Sequence, residues 1–339
     1  MRKKFISSAL ILVFTLIVSA CGSNSNESDA NPSASANAAA DSNAGTANEA
    51  GTEMNSESNT EAGTNPGDSS GTITYQSENG PVVVPANPQR VVALAGFSGH
   101  LHTLGIPIVA VDEWSKQNPN FAVYLGDTPE VNDEDLEKII ELKPDLIIAA
   151  GDVKNDDKLK QIAPTITYTY GKVAYLDQFL EIGKLVNKEA EAQAWIDDFK
   201  KRAQAAGEKI RTKIGADATV TVMESYEKQL YVYGDHYTRG TEILYQEMKL
   251  NMPDKVKQQA QKEGYYALST ELLPQYAGDY IVFSKDLAQD NSFQETTMYK
   301  NLTAVKNKHV FEVDTNRAYF DDPVTLDYLL DFIVKSFLG

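Results

Sequence analysis

NKEAEAQAWIDDFKKRAQAAGEKIRTKI, residues 187–214, decides the fold. Its apolar residues fall at 192, 195, 199, 203, 206, 210 and 214, and spacings of three and four place them in one stripe along an α-helix. Asn187 stands where an N-cap is wanted. A helix from 188 to 214 is roughly 40 Å long at 1.5 Å per residue. A helix of that length with a single apolar stripe can run along two domains and join them stiffly, whereas a pair of extended strands would bend more freely.

The segments on either side alternate strand and helix. Before the long helix, RVVAL (90–94), IPIVAV (106–111), PDLIIAA (144–150) and PTITYTY (164–170) are β-branched, apolar runs that predict buried strands. FSGHLHTLG (97–105) is closed by Gly105, DEDLEKIIELK (133–143) is stopped by Pro144, and DDKLKQIA (156–163) follows; all three predict helices. After it, ATVTVME, QLYVYG, GDYIVFS and KHVFEVD predict strands, while TRGTEILYQEMKL and STELLPQYA predict helices. One detail relates the halves. Glu137 lies eight residues before Asp145 in EDLEKIIELKPDLII, and Glu271 lies eight before Asp279 in LSTELLPQYAGDYIV. The expected fold is therefore α/β: two lobes, each a mostly parallel sheet flanked by helices, joined by one long helix, with a ligand cleft between them. The expected boundaries are 73–187 for the first lobe, 188–215 for the bridging helix and 216–339 for the second lobe.

The N-terminus has another purpose. MRKK followed by FISSALILVFTLIVSA is a secretory signal over residues 1–20, and VSAC ends it as a lipobox. Cys21, the one cysteine in the chain, is the expected lipidation site. Residues 21–72 then carry eight acids and no Lys or Arg, and almost nothing that could enter a core, so they predict an extended tether. The chain as a whole carries a net charge of −17. Nucleic-acid binding needs a basic footprint and is excluded on that ground.

The order of NPQRVVAL, LGIPIVAV, LEKIIELKPDLII, IAPTI, YGDHYTRGTEILY, AGDYIVFS, NLTAVKNKHVFEVD and YFDDPVTLDYL along residues 73–337 resembles the substrate-binding lipoproteins of iron–siderophore ABC importers. Within that family it is most similar to the ferric-hydroxamate binders. The resemblance implies a monomeric protein that captures a ferric hydroxamate and needs no cofactor, since the siderophore itself holds the iron. It implies delivery to ABC permease subunits driven by a cytoplasmic ATPase, and a lipid anchor at the outer face of the membrane of a Gram-positive bacterium. Other iron chelates such as catecholates, haem and cobalamin are the alternative ligands of the same fold. An α/β hydrolase is a remote one, because the chain has no Gly-x-Ser-x-Gly elbow, phosphate-cradling loop or cysteine nucleophile.

Carried onto this sequence, the family's cleft residues are Tyr231, Tyr237, Arg239 and Gly240, with Tyr319 or Phe320 ahead of the acid–Pro pair. Relatives often have tryptophan where Tyr237 stands. Arg239, one of six arginines, is expected in the first turn of the helix it precedes, offering a rigid fork of donors to hydroxamate oxygens. Of Tyr231 and Tyr233 one is expected to be structural, and the resemblance selects Tyr231. Tyr319 and Phe320 point opposite ways if extended, which leaves one of them facing ligand; Arg317 is a further donor. On the first lobe Phe97, Ser98, Trp114, Tyr170 and Lys172 follow strand ends, where such folds place contacts. His100 and His102 are two apart on a helix and do not share a face, which argues against a metal site. The family's permease-docking role, one glutamate per lobe, falls on Glu137 and Glu271.

Overall fold

The computed structural model describes residues 71–339; the signal segment, Cys21 and nearly all of the acidic tether lie outside the described residues. In the first lobe, β3 (Val91–Ala93), β4 (Ile108–Val111), β5 (Leu146–Ala150) and β6 (Thr165–Tyr168) form an all-parallel sheet in the order β4-β3-β5-β6. A hairpin not expected from sequence, β1 (Thr72–Ser77) and β2 (Gly80–Pro85), forms a separate two-stranded sheet that contacts β6 through side chains. Tyr75 of that hairpin is buried, and its hydroxyl lies 3.1 Å from the hydroxyl of Tyr168.

The second lobe holds β7 (Val220–Tyr226), β8 (Gln229–Tyr233), β9 (Tyr265–Leu268), β10 (Tyr280–Lys285) and β11 (Val310–Asp314) in the order β11-β10-β7-β8-β9. Here β7, β10 and β11 are parallel, while β8 runs antiparallel to both neighbours. The two-residue link between β7 and β8 permits only a hairpin, so this half is mixed. Strand β9, YYAL, was not expected from sequence.

The half-repeat is structural. Asp145, ahead of β5, accepts from the backbone N–H groups of Gln89 (2.6 Å) and Arg90 (2.9 Å) just before β3. Asp279, ahead of β10, accepts from the N–H of Thr219 (2.9 Å) just before β7. Each aspartate fastens the start of its strand to the start of the parallel neighbour.

The bridging helix spans Glu189–Ile214 and buries Ala192, Ile196, Phe199, Ala203, Ala206, Gly207 and Ile210. Trp195 stacks on Phe199 at 4.9 Å from the margin of that stripe. Asn187 is not its N-cap. It has φ 56 and donates to Lys184 O while Lys188 N donates to Gly183 O, so it ends the preceding helix, Tyr175–Leu185, in a Schellman turn. Gly207 is needed for approach: a Cβ there would lie 2.5 Å from the Met248 carbonyl oxygen.

The last helix, Pro323–Leu338, belongs spatially to both halves. It packs on the bridging helix and also on the first-lobe helix Ser98–Thr103. Its N-cap Asp322, fully buried, accepts from Val324 N (2.9 Å) and Thr325 N (3.2 Å) and lies so close to Gly99 that no side chain fits there. One continuous hydrophobic cluster accordingly runs from Val91 and Ile148 through Phe199 and Ile333 to Val222 and Val282. Smaller clusters back the outer face of each sheet.

Bending between the lobes would have to open that shared core. A protein starting at residue 71 should therefore give nearly superimposable small-angle scattering curves with and without ligand. A marked compaction on loading would show that the bridging helix bends.

Candidate ligand-binding site

The cleft is built at the C-terminal ends of the parallel strands of both lobes, where open α/β sheets leave a crevice. It contains two adjoining cavities, of 610 and 890 Å³, which share Trp114 and Tyr170 from the first lobe and Tyr237, Thr238, Tyr319 and Phe320 from the second. Aromatic rings face each other across it: Trp114 and Tyr319 with centroids 6.0 Å apart, Tyr170 and Tyr237 at 6.5 Å.

Arg239 lies under the smaller cavity, not in the first turn of a helix as expected. Thr238, Arg239 and Gly240 are three successive left-handed residues, with φ of 58, 55 and 83. For Thr and Arg this backbone costs of order 1–3 kcal/mol each and persists only when its surroundings impose it. They do so here. Tyr237 N donates to Thr241 Oγ1, Thr238 N to Glu242 Oε1 (2.9 Å), and Arg239 N to Ala318 O (3.0 Å). The following helix, Glu242–Glu247, is a single wide π-helical segment, a form frequent at functional sites.

The outcome is a fixed guanidinium. Arg239 is 9% exposed; its Nε donates to Glu224 Oε2 (2.7 Å), Nη2 to Glu224 Oε1 (3.2 Å) and Nη1 to Thr238 Oγ1 (2.9 Å). Tyr319 and Tyr233 cover it, with their ring centroids 4.6 and 4.9 Å from its central carbon. Nη1 also donates to Tyr237 O, so the fork leaves an N–H on Nη2 for an acceptor in the cleft. Burial pushes the Tyr319 phenol up to about 12 and the Tyr233 phenol higher still, so both are neutral hydrogen-bonding groups.

The other expected residues divide. Tyr231 and Tyr237 line the smaller cavity, but so does Tyr233: residues two apart on a strand share a face, and neither Tyr231 nor Tyr233 is set aside as purely structural. Both Tyr319 and Phe320 reach the cleft, because the chain there turns after a short 3₁₀ segment and is not extended. Phe320 stacks on Phe121 at 5.6 Å. Phe97 and Lys172 border the larger cavity, Lys172 being paired with Glu78 at 3.0 Å. Ser98 does not reach it; it is fully buried and donates to Ser115 Oγ. Arg317 is turned away from the cleft. It and Asn120 exchange two 2.9 Å bonds across the lobes. Glu137 and Glu271 are exposed near helix starts, far from these walls in the sequence of elements. Glu224 and Tyr265 were missed. Glu224 had a signal, since an acid inside the apolar run VTVMES requires a buried partner.

The profile of the periplasmic binding protein family matches residues 91–316. Iron(3+)-hydroxamate-binding protein FhuD of Bacillus subtilis is 37% identical, over 79% of this chain and 88% of that protein. Iron(3+)-hydroxamate-binding protein YxeB of the same organism is 30% identical, over 100% of this chain and 98% of that protein. Among solved structures, FhuD2 from Staphylococcus aureus with bound ferrioxamine B superposes with a TM-score of 0.71 at 34% identity, covering 74% of this chain and 98% of that one. Two lobes, a stiff bridging helix, a cleft between them and these matches lead to one conclusion: the chain belongs to the periplasmic binding protein family, the substrate-binding proteins of ABC transporters, and is not an enzyme.

Proposed function

We propose that the protein captures a ferric hydroxamate siderophore outside the cytoplasm and passes it to an ABC permease powered by a cytoplasmic ATPase. The observation that carries this reading is the Arg239–Glu224 pair beneath a wall of tyrosines. The pair brings no net charge to the smaller cavity, which suits a neutral iron complex. The aromatic faces supply apolar area, and the phenols and the free edge of the guanidinium supply hydrogen bonds to outward-facing hydroxamate oxygens. The iron stays with the siderophore, so the protein needs no metal ligands of its own. The relatives' names, and the ferrioxamine B bound to FhuD2, support the same ligand class.

The further parts of the proposal rest on the sequence. Cys21 carries the lipid after removal of residues 1–20, and the acidic tether lets a monomeric domain reach from the outer face of the membrane, as in Gram-positive bacteria. Glu137 and Glu271, one per lobe and both exposed, dock into basic pockets of the two permease subunits. Charges placed in this way set orientation and encounter rate more than affinity.

Removing Arg239 alone leaves Glu224 buried and unpaired. Arg239→Ala should lose about 3–5 kcal/mol of stability and, in whatever fraction stays folded, about 1.5–3 kcal/mol of siderophore affinity. The double variant Arg239→Ala/Glu224→Ala should regain much of the stability and none of the affinity, read by thermal melting and by quenching of intrinsic fluorescence with a ferric hydroxamate. Normal affinity in the double variant would remove Arg239 from the site. A separate pair, Glu137→Ala/Glu271→Ala, should bind siderophore like the unaltered protein but support little iron uptake in whole cells. Unimpaired uptake would reduce both glutamates to helix starters.

A further inference from the structure

The loop Thr169–Ala174, between β6 and the helix Tyr175–Leu185, walls the cleft on the first-lobe side. Tyr170 borders both cavities, and Gly171, Lys172, Val173 and Ala174 border the larger one. Residues 169 to 174 are all exposed, so no apolar core holds them. The loop's own backbone bond runs from Lys172 N to Thr169 O at 3.2 Å, and Gly171, with φ 70, lies inside that turn. Tyr170 is 71% exposed and meets Tyr237 across the cleft. A loop with so little of its own to restrain it would sample many conformations, and the entropy of ordering it would count against ligand binding.

The restraint comes from the turn of the hairpin β1–β2. Glu78 accepts from Thr169 N (3.2 Å) at the start of the loop and from Lys172 Nζ (3.0 Å) in its middle. Asn79 Nδ2 donates to Thr167 Oγ1 (3.0 Å) just ahead of it. An ion pair in open water is worth little. Here the Glu78 side chain is only 15% exposed, and two donors from one loop converge on its carboxylate. Burial disfavours that charge, but the hydrogen bonds from Thr169 and Lys172 outweigh it and hold the carboxyl below its usual range. The turn is itself braced: Ser77 Oγ donates to Gly80 O (2.7 Å) and accepts from Asn79 N (3.2 Å). Buried Tyr75 seats the hairpin, its hydroxyl donating to Glu181 Oε2 (3.1 Å) and accepting from Tyr168. Tyr168 packs on Phe97 with ring centroids 5.5 Å apart, and both border the larger cavity.

We propose that Glu78 is a positioning residue for ligand binding: through Thr169 and Lys172 it holds the loop that presents Tyr170 to the cleft, and so sets affinity without touching the ligand. This rests on the hydroxamate reading of the cleft. Glu78 borders neither cavity, so its influence has to pass through the loop. A hairpin that only covered the edge of the first lobe would add stability and leave affinity alone. The two roles differ in one respect: an effect of Glu78 on binding that passes through the loop requires Tyr170 to be present.

Quenching of intrinsic fluorescence by ferrioxamine B and by ferrichrome, a linear and a cyclic ferric trihydroxamate, gives affinities for Glu78→Ala, Tyr170→Ala and the double variant. Glu78→Ala should bind about three- to tenfold more weakly, since a released loop and its aromatic side chain must be ordered at each binding event. Its melting temperature should stay close to that of the unaltered protein. Glu78→Gln, which keeps an acceptor for Thr169 N, should regain part of the loss, and it carries the same test if the alanine variant does not fold. In the double variant the loss should match that of Tyr170→Ala alone, because residues acting through one contact are not additive. Trypsin cleavage after Lys172, followed by mass spectrometry, should quicken in Glu78→Ala. Unchanged affinity in Glu78→Ala, losses that add in the double variant, or unchanged cleavage each overturn the positioning role and leave the hydroxamate reading intact. Failure of the unaltered protein to bind either complex overturns the hydroxamate reading and this role with it.

Discussion

The structure depends on one hydrophobic core that does not respect the division into lobes. Phe199, Ala203 and Ile210 on the bridging helix join apolar residues from the inner faces of both sheets into a single cluster. Buried apolar area contributes about 25 cal/mol per Å², and packed interiors resist gradual deformation. The lobes therefore hold a fixed spacing and the cleft is largely formed before ligand arrives. Binding then avoids much of the ordering cost that a mobile site would impose. The Asn120–Arg317 bonds between the lobes act in the same direction.

The same logic governs the site. Arg239 is placed by left-handed backbone, by Thr241 and Glu242 holding that backbone, and by Glu224 holding the guanidinium. A flexible surface arginine would offer the same charge without a direction. Here the fork is aimed, and tyrosines above it exclude water, which strengthens the remaining hydrogen bonds.

What the sequence revealed follows from how local each signal is. The stripe at 192 to 210, the parallel strands and the matched Asp145 and Asp279 are set by nearest neighbours and short spacings, and each is present in the fold. Strand β9 was hidden because YYAL is short and carries two aromatics where alternation is indistinct. The reading of Tyr231 against Tyr233 went wrong over a period: side chains two apart on a strand lie together. Ser98 and Arg317 were legible as polar residues at strand and helix ends, but their partners, Ser115 and Asn120, come from distant segments that no local pattern announces.

The return of the last helix to the first lobe has a consequence for how the chain folds. Helix Ser98–Thr103, which also packs on β4 and on the helix Tyr175–Leu185, completes its apolar cover, and Gly99 meets Asp322, only when Pro323–Leu338 has been made. Contacts this far apart in sequence close slowly, because the entropy of the intervening loop must be lost before they stabilise anything. A chain still emerging, or one cut short by a few turns, presents an open apolar face on its earliest-made domain. Completion of the first lobe is thus timed by the final residues of the second, and folding of the two is one cooperative event instead of two successive ones.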